Sequence, residues 1–313
     1  MTDRRGFLTG AAAVGAGLVA AGAARAQQTQ EAEAARVAPT NVQLLLGSQE
    51  GRIPGDGLAQ KAQRAKEFGF DGLELSPGIV GRVDEYKKIL GDNGLGVAAI
   101  CAADGGTVTY AGWMCAADGP YIVPDEAQQR RAVDNAKRIL DAAGELGSPG
   151  VIMVPAFNGA QDHLVGWEGR ELLITLLREL GEHAVQAGSR MLLEPLNRGE
   201  ARFLRQVGDA ASICRDVGSP GVGVMGDFYH MRHEETSDMA AFIAGGEWLH
   251  HVHLASWSRN LPGQDDRSFV DGFRGLKWIG YSDYCSLECG VQGDPMVELP
   301  KSVEFLRAQW ELA

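Results

Sequence analysis

Beyond residue 41 the chain alternates two kinds of hydrophobic pattern. Short unbroken apolar runs read as buried strands, and longer stretches with apolar residues every three or four positions read as amphipathic helices. The runs at 42–46, 72–75, 95–101, 150–154, 191–194, 222–227, 250–255 and 284–288 are the expected strands. Helices are expected at 57–68, 82–93, 124–146, 167–187, 209–217, 237–244, 269–279 and 296–309. Pro124 suits a first helical turn, Gly69 and Gly94 suit helix C-termini, and Asp209 is the expected N-cap of its helix. Strands that alternate with crossover helices pair in parallel. Eight such units over roughly 270 residues predict an α/β fold, a single closed (β/α)8 barrel of the TIM type over 41–313. An open doubly wound sheet is the competing topology, but no Gly-rich dinucleotide fingerprint follows the first strand.

The segment before the barrel has a different character. Arg4-Arg5 precedes a mild run of Ala, Gly, Val and Leu, and Ala24-Arg25-Ala26 offers small residues at the two positions read by a signal peptidase. Residues 1–26 are therefore expected to be a twin-arginine export signal, and 27–40 a polar leader. A periplasmic location follows, reached by a protein already folded. The apolar run is too short and Gly-rich to span a bilayer well, so no membrane association is expected of the mature form.

With 41 acidic and 29 basic side chains the formal net charge is −12, and loss of Arg4, Arg5, Arg25 and Asp3 with the signal would make it −14. A nucleic-acid partner calls for the opposite sign. That also argues against a metal-dependent endonuclease. Five widely spaced cysteines, Cys101, Cys115, Cys214, Cys285 and Cys289, do not form a disulfide framework, and buried thiols are expected for most.

The chemistry is concentrated at the ends of the later strands, where barrels of this type gather functional groups. Strand five runs into Glu194-Pro195-Leu196-Asn197, strand six into Asp227-Phe228-Tyr229-His230, strand seven holds His251-Val252-His253, and strand eight runs into Glu288. Each alone has a plain reading, as a helix cap for an acid or a satisfied core histidine for His253. Together they bring three carboxylates and one imidazole to one face, and a divalent cation relieves the cost of burying them. Glu74, ending strand two, serves equally as a pocket residue or a cap. His250 and His251 read as packing or surface residues. Trp113 and Trp257 are candidates for shaping a pocket, while Trp167, Trp248, Trp278 and Trp310 are expected in the core.

These motifs resemble the xylose-isomerase-like barrel superfamily, and within it the ketose 3-epimerases of the D-tagatose and D-psicose group. Glu194-Pro195-Leu196-Asn197-Arg198-Gly199-Glu200 is similar to that group's Glu-x-Leu-Asn-Arg-x-Glu segment, and Asp227-Phe228-Tyr229-His230-Met231 to its Asp-x-x-His-Met segment. His251-Val252-His253 is followed by Arg259 at the family's interval. Pro195 and the Asp-x-Tyr-His-Met form also resemble hydroxypyruvate isomerase. The resemblance implies metal ligation by Glu194, Asp227, His253 and Glu288, and substrate contacts from Glu200, His230 and Arg259. It also implies an isomerase that acts on a small sugar. Barrels of this superfamily often pair, so a homo-oligomer is compatible with it.

The activity expected is metal-dependent epimerisation of a ketose or keto-sugar beside its carbonyl. It would pass through an enediolate, with Glu194 and Glu288 as acid and base on opposite faces. Oxygen-rich ligation suits Mn2+, with Co2+ or Mg2+ as substitutes. A 3-keto-glycoside lyase and a hydroxypyruvate-type aldose–ketose isomerase begin with the same deprotonation. A periplasmic sugar-binding protein that retains the metal is the non-enzymatic alternative.

Overall fold

The computed structural model describes residues 42–101, 126–156 and 166–313. The expected signal (1–26), the leader (27–40), Trp113, Cys115 and the start of the helix expected at 124 lie outside the described residues. Eight strands form the barrel: β1 (Leu45–Gln49), β2 (Gly72–Leu75), β3 (Gly96–Cys101), β4 (Val151–Met153), β5 (Met191–Leu193), β6 (Val222–Asp227), β7 (Leu249–Leu254) and β8 (Tyr284–Leu287). They pair in sequence order, all parallel, and β8 closes onto β1 with Leu45 opposite Tyr284. The molecule is thus a (β/α)8 barrel.

The helices are α1 (Leu58–Phe68), α2 (Val83–Asp92), α3 (Glu126–Glu145), α4 (Trp167–Ala187), α5 (Val207–Val217), α6 (Phe228–Glu234), α7 (Asp238–Gly245), α8 (Val270–Trp278) and α9 (Pro295–Leu312). None among the described residues is long and apolar enough to cross a membrane.

Most boundaries fall within three residues of the sequence reading, and the differences have causes. α5 begins before Asp209, which sits in its first turn; Gln206 holds the N-cap position instead. α6 was not expected. Asp227 caps it through a 2.7 Å hydrogen bond from the Tyr229 N–H, and Phe228 anchors it among Phe242, Phe269 and Phe273. Trp167 is 68% exposed and Trp278 52% exposed, so neither belongs to the core, whereas Trp310 is buried. Both exposed indoles lie at helix ends, and helical spacing does not say which way a terminal residue turns.

Period-2 alternation divides every strand between two environments. Outward residues such as Leu46, Leu73, Leu193, Val252 and Leu287 join the helices in the main core. Ala99, Ile152, Leu192 and Met225, on four successive strands, form a separate buried cluster in the barrel interior. The Tyr284 ring fills the interior beside Gly72 and Gly96, where a Cβ would collide with its ring and its Oη. Cys214, Cys285 and Cys289 are free and buried.

The helix layer is close-packed enough to test. At Gly144 in α3 an added Cβ would overlap the Ala187 carbonyl oxygen of α4. Helix propensity alone predicts a gain of ~1 kcal/mol for Gly144→Ala. Overpacking against backbone instead predicts a loss of ~1–3 kcal/mol. Denaturant unfolding measures the sign, and a stabilised variant would refute the contact.

Candidate metal centre

The inward alternation carries six side chains to the carboxyl ends of six strands: Gln49 (β1), Glu74 (β2), Glu194 (just past β5), Asp227 (β6), His253 (β7) and Glu288 (just past β8). Glu194, Asp227, His253 and Glu288 each offer a ligand-type atom, and these atoms lie within 4.8 Å of one another. His253 Nδ1 is 3.3 Å from Glu288 Oε2 and 3.7 Å from Glu194 Oε1. Asp227 uses Oδ1 for its cap, and its buried Oδ2 makes no hydrogen bond. His253 Nδ1 is also buried without a hydrogen-bond partner. Leaving a buried polar atom unsatisfied costs about 1–3 kcal/mol. An unsatisfied carboxylate oxygen and imidazole nitrogen grouped with the Glu194 and Glu288 carboxyls are what a cation site requires, so the donor set fits a metal ion.

The electrostatics point the same way. Burial lifts the Glu194 carboxyl to about 7, with the Glu288 charge adding and His253 opposing. Asp227 is pushed well above the usual carboxylate range by burial and then by Glu288. Burial also disfavours the charge on Glu288, but His253 and Arg259 outweigh it and hold this group well below the carboxylate range. The His253 imidazole, although buried, is pushed well above its ordinary value by Glu74 and Glu288.

A second layer holds these groups in place. Glu74 is fully buried, yet His253 and His251 bring it down to about 2 against that burial. Its Oε2 accepts N–H from His251 Nε2 and His253 Nε2, each at 2.8 Å. Gln49 Nε2 donates to Glu74 Oε1 (3.1 Å) and to Glu288 Oε1 (3.2 Å). Glu74, His251 and His253 form another ligand-type group. Two 2.8 Å contacts to one oxygen, however, are ordinary hydrogen bonds.

On the other side, the Asn197 backbone N–H and side-chain amide both donate to His230 Nδ1, at 3.2 and 2.8 Å. Burial pushes His230 down to about 3, so it is neutral and its proton sits on Nε2, 3.5 Å from Asp227 Oδ2. Arg259 donates to Glu288 Oε2 at 3.1 Å, lies 3.6 Å from Glu200 Oε1, and stacks over Tyr229 at 4.6 Å. Asn197 Nδ2 ties Glu200 to this set at 2.9 Å.

All seven site residues expected from the sequence therefore converge: Glu194, Asp227, His253, Glu288, Glu200, His230 and Arg259. His251 was expected to be packing or surface; it is buried and hydrogen-bonded inside the site. Glu74 lies buried against His251, His253 and Gln49 rather than capping a helix. Gln49 and Asn197 were not anticipated, although Asn197 lies within the motif already noted. Trp257 is 40% exposed, with the Arg232 and Arg267 guanidinium groups over its ring at 5.2 and 4.3 Å.

Known proteins share this architecture. The family described as xylose isomerase-like TIM barrel matches residues 62–309. The chain is 28% identical over 271 residues to the 3-dehydro-D-guloside 4-epimerase of Escherichia coli (strain K12), covering 84% of this chain and 98% of that protein. It is 26% identical over 256 residues to the L-ribulose 3-epimerase of Mesorhizobium japonicum, covering 81% of this chain and 82% of that one. The crystal structure of an Escherichia coli 3-keto-D-glucoside 4-epimerase in its apo form aligns with a TM-score of 0.74 at 26% identity, covering 85% of this chain and 100% of that one. These relatives are named as epimerases of ketoses and keto-glycosides. The closed barrel, its cluster of acids at the strand ends and the match over 62–309 together establish that the chain belongs to the xylose isomerase-like TIM barrel family.

Proposed function

We propose that the protein is a divalent-metal-dependent epimerase that inverts the carbon beside the carbonyl of a ketose or keto-glycoside. The observation that carries this reading is the pair Glu194 and Glu288. They flank one imidazole nitrogen, and their surroundings push their proton affinities in opposite directions. Two carboxyls tuned apart supply an acid and a base at one pH.

Glu194, Asp227, His253 and Glu288 would hold the ion, and Mn2+ suits three carboxylates and one imidazole, with Co2+ or Mg2+ as substitutes. Bound there, a divalent ion supplies Lewis acidity that stabilises negative charge developing on the carbonyl oxygen. Glu288, kept ionised, takes the proton from the neighbouring carbon. Glu194, holding the ion through one oxygen, would carry a proton on the other and return it to the opposite face. In the reverse reaction the roles exchange. The Arg259 guanidinium and the His230 Nε2–H are the donors available to substrate oxygens, and Glu200 steadies Arg259. The names of the relatives support a sugar epimerase of either the ketose or the keto-glycoside class. The Arg4-Arg5 segment supports export to the periplasm by the twin-arginine route.

Glu194→Gln and Glu288→Gln are each expected to lower kcat by about 10²–10⁴-fold and to abolish solvent deuterium exchange at the epimerised carbon. Metal content would be measured in parallel on ketose and 3-keto-glucoside panels. Full exchange in both variants would remove the two-base scheme.

Metal binding should also depend on pH. A bound ion displaces protons from Glu194, Asp227 and His253, all of which hold them more tightly than usual, so affinity falls as pH drops toward and below about 7. Glu194 is raised when folded, so in ion-free protein its stabilising contribution is lost as pH rises from 4.5 through about 7. The ion-induced rise in Tm should therefore be larger at about pH 8 than at about pH 5.5. Equal shifts at both pH values, seen by scanning calorimetry, would count against ligation by these carboxyls.

A further inference from the structure

We infer that Glu74 is a positioning residue for the metal centre, with His251 as its brace and Gln49 as its link to Glu288. The inference rests on the proposed ligation by Glu194, Asp227, His253 and Glu288, and adds the layer that orients it. An imidazole can present either ring nitrogen to an ion, and the hydrogen bond at the other nitrogen decides which. Here the decision is made across the barrel. β2 and β7 are not neighbours, yet Glu74 Oε2 accepts the Nε2–H of His253 at 2.8 Å, which leaves Nδ1 facing Glu194 and Glu288.

The same oxygen accepts the Nε2–H of His251 at 2.8 Å. Two imidazoles two residues apart on one strand, with ring centroids 5.1 Å apart and planes at 85°, thus converge on one acceptor. His251 blocks the carboxylate from swinging away, because any rotation that frees Oε2 breaks two hydrogen bonds. The other oxygen of Glu74 is fixed by Gln49 Nε2, whose second N–H holds Glu288 Oε1. One buried carboxylate therefore sets the orientation of the imidazole ligand directly and of a carboxylate ligand through a single amide. Glu74 is not one of the four proposed ligands and acts through its neighbours His253 and Gln49.

The test is Mn2+ titration by calorimetry on chelator-stripped full-length enzyme, with wild type, Glu74→Gln, Glu74→Asp and Asp227→Asn compared. Glu74→Gln keeps the volume but sets an amide N–H against either the Gln49 donor or the imidazole donors. Its Mn2+ affinity should fall about 10–100-fold, as for other groups that orient metal ligands, while the ion-free protein still unfolds cooperatively at a modestly lower Tm set by the unmatched buried N–H. The visible absorption of the Co2+-loaded variant should shift as well, which a distant packing role would not produce. Should Glu74→Gln not fold, Glu74→Asp decides: its shorter side chain cannot reach both imidazoles, and the same loss is expected. Wild-type affinity and an unchanged Co2+ spectrum in a folded Glu74 variant, with Asp227→Asn having lost the ion, would overturn the role of Glu74 alone. Wild-type affinity in Asp227→Asn would instead overturn the metal site itself.

Discussion

The burial of carboxylates close to one another governs this end of the molecule. Glu74, Glu194 and Asp227 are buried and Glu288 largely so, within a region that also holds one guanidinium and three imidazoles. Water cannot screen charges placed there, so every carboxylate must find a proton, a hydrogen-bonded cation or a metal ion. The protein's own groups satisfy Glu74 and Glu288 but leave Glu194 and Asp227 with raised proton affinity. An uncompensated pair of this kind is costly to maintain for structure alone, since apolar residues of similar volume would pack there at less expense. The arrangement makes physical sense as a site whose missing positive charge is delivered by a bound ion.

The fold reaches this arrangement by simple means. Parallel strands all end on the same rim, and alternation sends every second residue inward, so acids placed at strand ends meet without any special loop. The parts beyond the strands need more specific devices. His230 rides on α6, which exists because Asp227 caps it and Phe228 is locked into an aromatic cluster. Arg259 has φ 57, the one non-glycine residue with positive φ among those described. That conformation costs of order 1–3 kcal/mol. It is held by the Arg259 N–H donating to the Ser256 carbonyl and the Gly290 N–H donating to the Arg259 carbonyl. The strain is spent where the guanidinium has to reach Glu288.

The sequence made the strands legible as short apolar runs, and three of those runs stop at a charged residue, Glu194, Asp227 or Glu288, that also marks the rim. The resemblance added Glu200, His230 and Arg259, which no periodicity would single out. Glu74 and His251 could not be paired by either route. They are 177 residues apart and meet across the barrel, so the contact exists only once the sheet has closed. Gln49 was beyond reach for another reason. The reading ended β1 at Leu46, whereas the strand continues through the polar Ser48 and Gln49, because Gln49 pairs with other polar groups inside the barrel. A hydrophobic pattern cannot show a strand that satisfies itself through hydrogen bonds.

The unequal proton affinities of Glu194 and Glu288 have a geometric origin. Glu288 Oε2 has two cationic partners, Arg259 Nη2 at 3.1 Å and His253 Nδ1 at 3.3 Å. Among the described residues Glu194 has only His253 within 4 Å, at 3.7 Å, and feels Arg259 from farther away. Coulomb energy scales inversely with distance, and the number of partners doubles it, so Glu288 keeps its charge while Glu194 is left to burial. In the proposed reaction this difference cannot be permanent, because an epimerase must run both ways and each glutamate must both give and accept a proton. A sugar oxygen that engages Arg259 would compete for the partner that sets Glu288 apart, and so draw the two carboxyls toward equal proton affinity once substrate is bound. The asymmetry is then a property of the ion-free, substrate-free site, and the arginine that contributes to it is also the group best placed to release it.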